Sequence, residues 1–218
     1  MKILAVDTAL GACSAALLEG DRVLTRRFAA MERGHAEALA PMVEETMGEA
    51  GLAFAALDRL AVTVGPGTFT GQRVGLAFMR GLRVALGKPL VGVTSLAAMA
   101  EQARVETGVA CAAAIHDARR GEVYLEVLGD HLSARLLTFT EACSALNRLR
   151  GKIVLAGTAA ARAAETLRTS GLETQVCAIV VPDAIWVARL AARMEPGKAP
   201  PRPLYLRAPD AKLPAKRT

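Results

Sequence analysis

Leu60-Ala61-Val62-Thr63-Val64-Gly65-Pro66-Gly67-Thr68-Phe69-Thr70-Gly71-Gln72-Arg73-Val74-Gly75 is the stretch from which the rest of the chain can be read. A short β-branched run meets a Gly/Pro turn, and an apolar segment from Val74 to Leu86 follows at once. That order predicts strand, tight turn and helix. Pro66 fixes its own φ, and the flanking glycines tolerate backbone angles that other residues avoid. Thr68 and Thr70 offer N-cap oxygens to the helix.

Glycines ahead of a helix raise the question of a phosphate site. A P-loop requires G-x-x-x-x-G-K-[ST], and no Lys-Ser/Thr pair follows either Gly65 or Gly67 at that spacing. The dinucleotide fingerprint requires a third glycine where Thr70 stands and an acidic residue further on, and neither is there. What remains is a turn followed by a close-packed helix. On a helical wheel Val74, Phe78, Leu82 and Ala85 form an apolar centre. Gly75, Met79 and Leu86 widen it on one side, and Ala77, Gly81 and Val84 on the other. Gln72, Arg73, Arg80 and Arg83 gather on the remaining arc, with Leu76 among them. The apolar arc covers roughly two thirds of the circumference, against little over ~100° for an ordinary surface helix. Such a helix is buried on two sides in its own domain, or meets another protein.

Working outward, the 218 residues are 52% hydrophobic and only 4% aromatic, which predicts a core of Ala, Leu and Val. No run reaches the ~18 apolar residues of a membrane span. Met1 to Asp7 meets an acid too soon for a signal peptide. Cys13, Cys111, Cys143 and Cys177 are far apart, the pattern of reduced cysteines in a cytoplasmic protein. A net charge of +6 suits a nucleic-acid partner, and equally an ordinary arginine-rich surface.

Ile3–Val6, Ser14–Leu18 and Arg22–Phe28 read as three strands of an antiparallel meander. Asp7 ends the first; a metal or phosphate-linked water is one reading, and a polar strand end is the favoured one. A helix from 33–35 to about Gly51 carries Ala36, Leu39, Ala40, Met42, Val43, Thr46, Met47 and Ala50 on an apolar arc of about 160°. Pro41 implies a kink, or a start nearer Leu39. His35 lacks a second histidine four residues on, because position 39 is Leu, so it reads as a helix-start residue rather than a zinc ligand.

After the central helix, Pro89–Val93 reads as a strand, and Ser95 as the cap of a helix to about Arg104. Val109–Ile115 and Glu122–Leu128 form a hairpin around His116-Asp117-Ala118-Arg119-Arg120-Gly121. Adjacent arginines beside Asp117 suit a phosphate or a solvated turn equally. Strands at Leu132–Leu137, Lys152–Leu155 and Val176–Val180 alternate with helices at Thr140–Leu149, Thr158–Arg168 and Asp183–Met194. From Glu195 the chain is basic and holds six of its ten prolines, which predicts an extended, partly mobile tail. The two halves, 1–108 and 109–218, share one order of elements. A duplicated βββαβα unit is the α/β layout of the actin/Hsp70/hexokinase-like (ASKHA) fold, and says nothing of ATP by itself.

Taken together, several segments resemble the TsaB family, formerly YeaZ, along the whole chain. They are Asp7-Thr8 after Ile3–Val6, His35-Ala36-Glu37, and Gly65-Pro66-Gly67-Thr68-Phe69-Thr70-Gly71 with Arg73 and Gly75. Asp117-Ala118-Arg119-Arg120-Gly121 with Tyr124, and Pro203-Leu204-Tyr205-Leu206-Arg207, complete the set. Gln72 and Ala9 depart from the leucine and serine of the family pattern. The resemblance implies a duplicated ASKHA fold and a degenerate paralogue of TsaD, which keeps the metal-binding histidines and ATP site. It implies a subunit without catalysis, cofactor or metal of its own. That subunit pairs with TsaD through its first two long helices, works with the ATPase TsaE, and meets tRNA through the complex. The complex transfers threonylcarbamoyl from its adenylate to the adenosine beside the anticodon. The expected partner surface is Ala36, Leu39, Met42, Val43, Thr46, Met47, Gln72, Gly75, Leu76, Met79, Arg80 and Arg83, with a homodimer when the partner is absent. Two other readings stand beside it. A glycoprotease-like metallopeptidase needs ligands the sequence does not show, and an autonomous kinase has only Ala156-Gly157-Thr158 as a trace of an adenosine site.

Overall fold

The computed structural model describes residues 1–129 and 132–207. Its elements run β1 (Lys2–Asp7), β2 (Ala12–Glu19), β3 (Arg22–Ala30), α1 (His35–Glu49), β4 (Arg59–Gly65), α2 (Phe69–Leu86), β5 (Leu90–Thr94) and α3 (Ser95–Thr107). They continue with β6 (Cys111–Asp117), β7 (Glu122–Val127), β8 (Leu132–Thr138), α4 (Phe139–Leu146), β9 (Ile153–Ala156), α5 (Ala160–Thr169), β10 (Thr174–Val176) and α6 (Ala184–Ala192). The strands form two five-stranded sheets, ordered β3-β2-β1-β4-β5 and β10-β9-β6-β7-β8. In each, three antiparallel strands are followed by two parallel ones, so the second sheet repeats the first. This is the duplicated ASKHA arrangement expected from the order of elements.

Burial assigns the layers. Leu4, Val6, Leu17 and Leu60 on one face of the first sheet pack with Leu39, Val43 and Met47 of α1 and Leu76 and Met79 of α2. Ile3, Ala5, Ala61 and Val91 on its other face pack with Ala184, Val187 and Ala188 of α6. On α3, Leu96, Met99 and Ala103 meet Ala112, Ala114 and Val154 of the second sheet. Ala142 and Leu146 of α4 and Ala163 and Leu167 of α5 cover the outer face of that sheet. Helix α6 follows the second sheet in sequence yet packs on β1, β2 and β4, so a boundary at 108/109 divides the sheets but not the helices.

Several local expectations shift. α1 begins at His35 behind Gly34, whose φ of 88° only glycine adopts readily, and Pro41 lies inside the helix on its exposed side. Thr94, not Ser95, caps α3: its Oγ1 accepts from Ala97 N at 3.0 Å, while Ser95 donates to the Pro66 carbonyl. The strand expected at Val176–Val180 lies at Thr174–Val176. Among the described residues after Glu195 there is no helix or strand, but residues 201–207 are fastened: Leu204 N donates to Val64 O at 2.8 Å and Arg80 Nε to Pro201 O at 3.1 Å. Residues 208–218, the rest of the expected mobile tail, lie outside the described residues.

Candidate functional site

The Gly-Pro-Gly turn delivers α2 onto the β1–β2 loop. Thr68 is the N-cap, its Oγ1 accepting from Gly71 N at 3.1 Å, while Thr70 falls within the helix. Thr68 N donates to Ala9 O at 2.8 Å. Thr8 Oγ1 donates to Gly71 O at 2.7 Å and accepts from Gly75 N at 3.0 Å. The glycines are needed for this approach. A Cβ on Gly67 would lie 2.2 Å from Ala9 O, on Gly71 2.1 Å from Thr8 O, and on Gly75 2.6 Å from Thr8 Oγ1. Gln72 turns inward, donating from Nε2 to Gly67 O at 3.0 Å with its side chain against Gly65. The motif is therefore spent on the chain's own packing. A Gly75→Ala variant should lose about 1–3 kcal/mol of stability through overpacking, read as a lower thermal midpoint.

Asp7 is fully buried where this turn meets β1. Its Oδ1 accepts from Thr63 Oγ1 at 2.6 Å and Ala9 N at 3.1 Å, and its Oδ2 has no partner. Burial raises its pKa to about 7 against those two hydrogen bonds, and nearby Asp183 adds to the rise. Across the molecule, Asp117 Oδ1 accepts from Arg119 N at 2.9 Å, and Asp117 N donates to Thr158 Oγ1 at 2.9 Å. Arg119 and Arg120 follow with φ of 64° and 57°, and Gly121 with 77°. His35 is buried at the start of α1 with Nε2 3.0 Å from Leu10 O, a structural contact. Among the described residues no three His, Cys, Asp or Glu side chains group as a metal site. No described helix is long and apolar enough to cross a membrane.

The expected partner surface requires correction. Leu39, Val43, Thr46 and Met47 of α1 and Gln72, Gly75, Leu76 and Met79 of α2 are buried inside the chain's own fold. They face the first sheet and the β1–β2 loop, so no partner reaches them. Ala36 is exposed; Met42, Arg80 and Arg83 are partly so, and Arg80 is engaged by the tail. What the sequence choice missed is the other flank of the apolar arc. Ala77, Gly81, Val84 and Ala85 of α2 are exposed, Val84 by 77%. Val74, Phe78 and Leu82 beside them, and Met42 on α1, are half-buried. Gly71 and Gly75 carried the signal. Two glycines at i and i+4 mark the side that a neighbour must approach closely, and hence the inward face.

The family model for tRNA N6-adenosine threonylcarbamoyltransferase (TsaD) matches residues 29–197. The TsaB protein of Haemophilus influenzae is 32% identical over 163 residues, covering 69% of this chain and 68% of that protein. The chain belongs to the TsaB family. Its Escherichia coli relative, a tRNA threonylcarbamoyladenosine biosynthesis protein, is 39% identical over 124 residues, or 57% of this chain and 53% of the relative. That match thus spans about half the curated relative's length. A solved Pseudomonas aeruginosa structure, described as similar to peptidase YEAZ, superposes with a TM-score of 0.77 at 32% identity. It covers 94% of this chain and 99% of the other.

Proposed function

We propose that this chain acts in the synthesis of threonylcarbamoyladenosine on tRNA, the process named for its relatives, and that it does so as a non-catalytic, cytoplasmic subunit. In this reading it binds a TsaD-like catalytic subunit, works with a TsaE-like ATPase, and forms a homodimer when alone. The observation that carries the reading is the outward flank of α2. Ala77, Gly81, Val84 and Ala85 lie at i, i+4, i+7 and i+8, a continuous apolar stripe beside half-buried Val74, Phe78 and Leu82. A contiguous exposed apolar patch rimmed by polar residues marks a protein contact. The charged residues of the two helices differ in sign: exposed Glu44, Glu45 and Glu49 on α1, the last two paired with Arg27 of β3, and Arg83 with the tail-bound Arg80 on α2. The small residues let a partner helix approach closely. Co-purification with a TsaD-like subunit, followed by tRNA modification in the reconstituted mixture, tests the proposal. Modification is expected only when both chains are present; modification by the catalytic subunit alone at the same rate would overturn it.

A further inference from the structure

At the N-terminal end of α2, ahead of the exposed stripe that starts at Ala77, one surface combines stacked aromatic rings with arginines. Phe69 at the start of α2 and Tyr205 of the tail stack with centroids 5.6 Å apart and planes 27° from parallel. Arg73 lies over Phe69, its guanidinium carbon 3.6 Å from the ring centroid, and its Nε donates to Tyr205 Oη at 2.8 Å. Both rings remain open to water, Phe69 by 54% and Tyr205 by 46%. Two residues beyond Tyr205, Arg207 reaches Arg119 O and the Glu122 carboxylate, so the tail joins this stack to the β6–β7 hairpin. That hairpin presents exposed Arg119 and Arg120 in left-handed backbone. Glycine or asparagine fits such positions at less cost, and a residue that departs from the local rule is expected where its side chain has work to do.

We infer that this surface, built from Phe69, Tyr205, Arg73, Arg119 and Arg120, is a direct contact for single-stranded RNA, the looped part of the tRNA bound by the complex. The inference rests on the proposed function. The chemistry that fits is a nucleobase laid on the exposed rings and phosphates drawn to the arginines, which tolerates many sequences because every base has a π-face. A protein segment would instead be expected to favour rings rimmed by both signs of charge. Here the five side chains are aromatic or cationic, on a chain of net charge +6, and the two carboxylates at the hairpin are already engaged, Asp117 by Arg119 N and Glu122 by Arg207.

The test uses the chain together with its TsaD-like partner, and two probes: a short RNA hairpin with a single-stranded loop, and a fully paired RNA duplex. Phe69→Leu and Tyr205→Leu are each expected to weaken hairpin binding roughly five-fold or more, as loss of base stacking does, with duplex binding little changed. Arg119→Gly removes a cation while relieving the left-handed backbone. It should leave the thermal midpoint level or higher and lower the slope of log affinity against log salt by about one. Subunit association, measured in parallel, should stay at the wild-type value for all three variants. Folded variants that bind the hairpin like wild type, or that lose both probes equally, overturn the inference while leaving the subunit role intact. Loss of subunit association instead would assign the surface to protein. Failure of the wild-type pair to associate at all would overturn the proposed function itself.

Discussion

Met79→Glu is expected to unfold the chain, not to release a partner from a folded one. Met79 is fully buried beneath α2, in one cluster with Leu4, Leu60, Val62 and Leu76. A carboxylate placed there loses its hydration and gains no cation. Burying an unpaired charge belongs to the short list of substitutions costing about 4–5 kcal/mol or more. A domain of ordinary stability has about 5–15 kcal/mol in all. Thermal unfolding should shift far down, or the variant should be recovered only as aggregate. A folded Met79→Glu protein with an unchanged midpoint would show that α2 presents its 72–76–79 side to solvent, and would reverse the layer assignment.

The second large effect is a pH dependence centred on Asp7. Its carboxyl titrates at about 7 in the folded chain, against 3.8 for an unhindered carboxyl, chiefly because burial penalises the charge. Between those values the folded state holds a proton that the unfolded state has released. Stability from this group is therefore complete below pH ~4 and declines as pH rises towards 7, then stays low above it. At about 1.4 kcal/mol per pH unit, the decline amounts to about 4 kcal/mol. Asp7→Asn keeps an acceptor for Thr63 Oγ1 and Ala9 N and removes the charge from the partnerless Oδ2 position. The variant should match the wild type near pH 4 and exceed it near pH 8. Urea midpoints at the two pH values measure this. Parallel curves for the two proteins would mean that Asp7 does not carry the titration.

Much of the fold was legible because it rests on local periodicity. The strand-turn-helix at Gly65-Pro66-Gly67, the two meanders and the repeat of their order follow from alternation, glycine placement and long apolar arcs. The errors were of orientation. The wide arc of α2 leaves two readings open, burial on two sides or contact with another protein, and a wheel has no inside. The family resemblance puts Gln72, Gly75, Leu76 and Met79 on the partner surface, among the polar residues of the helix. Gln72 is buried, satisfied on one side by Gly67 O, so it misled the assignment. The fastening of residues 201–207 escapes a reading of the sequence for a different reason. Proline and charge predict poor self-packing, yet this segment borrows its partners from afar, such as Val64 O, Arg73 and Glu122. Contacts spanning 85 residues or more leave no trace in local composition. His35 stands at the start of α1, where the sequence reading puts it, and Gly67, Gly71 and Gly75 make the close approach that a turn before a packed helix implies.

The account turns on which side of α2 belongs to the chain and which to another protein. Ala77→Glu combined with Val84→Glu places two charges on the exposed flank, where neither side chain supports the core. The direct measurement is affinity for the TsaD-like subunit, taken with the thermal midpoint of the isolated chain. The midpoint should hold, while affinity falls ten- to a thousand-fold, roughly the loss expected when a contact hot spot is charged. A folded double variant with wild-type affinity would contradict the account, because the stripe it charges would then face no partner.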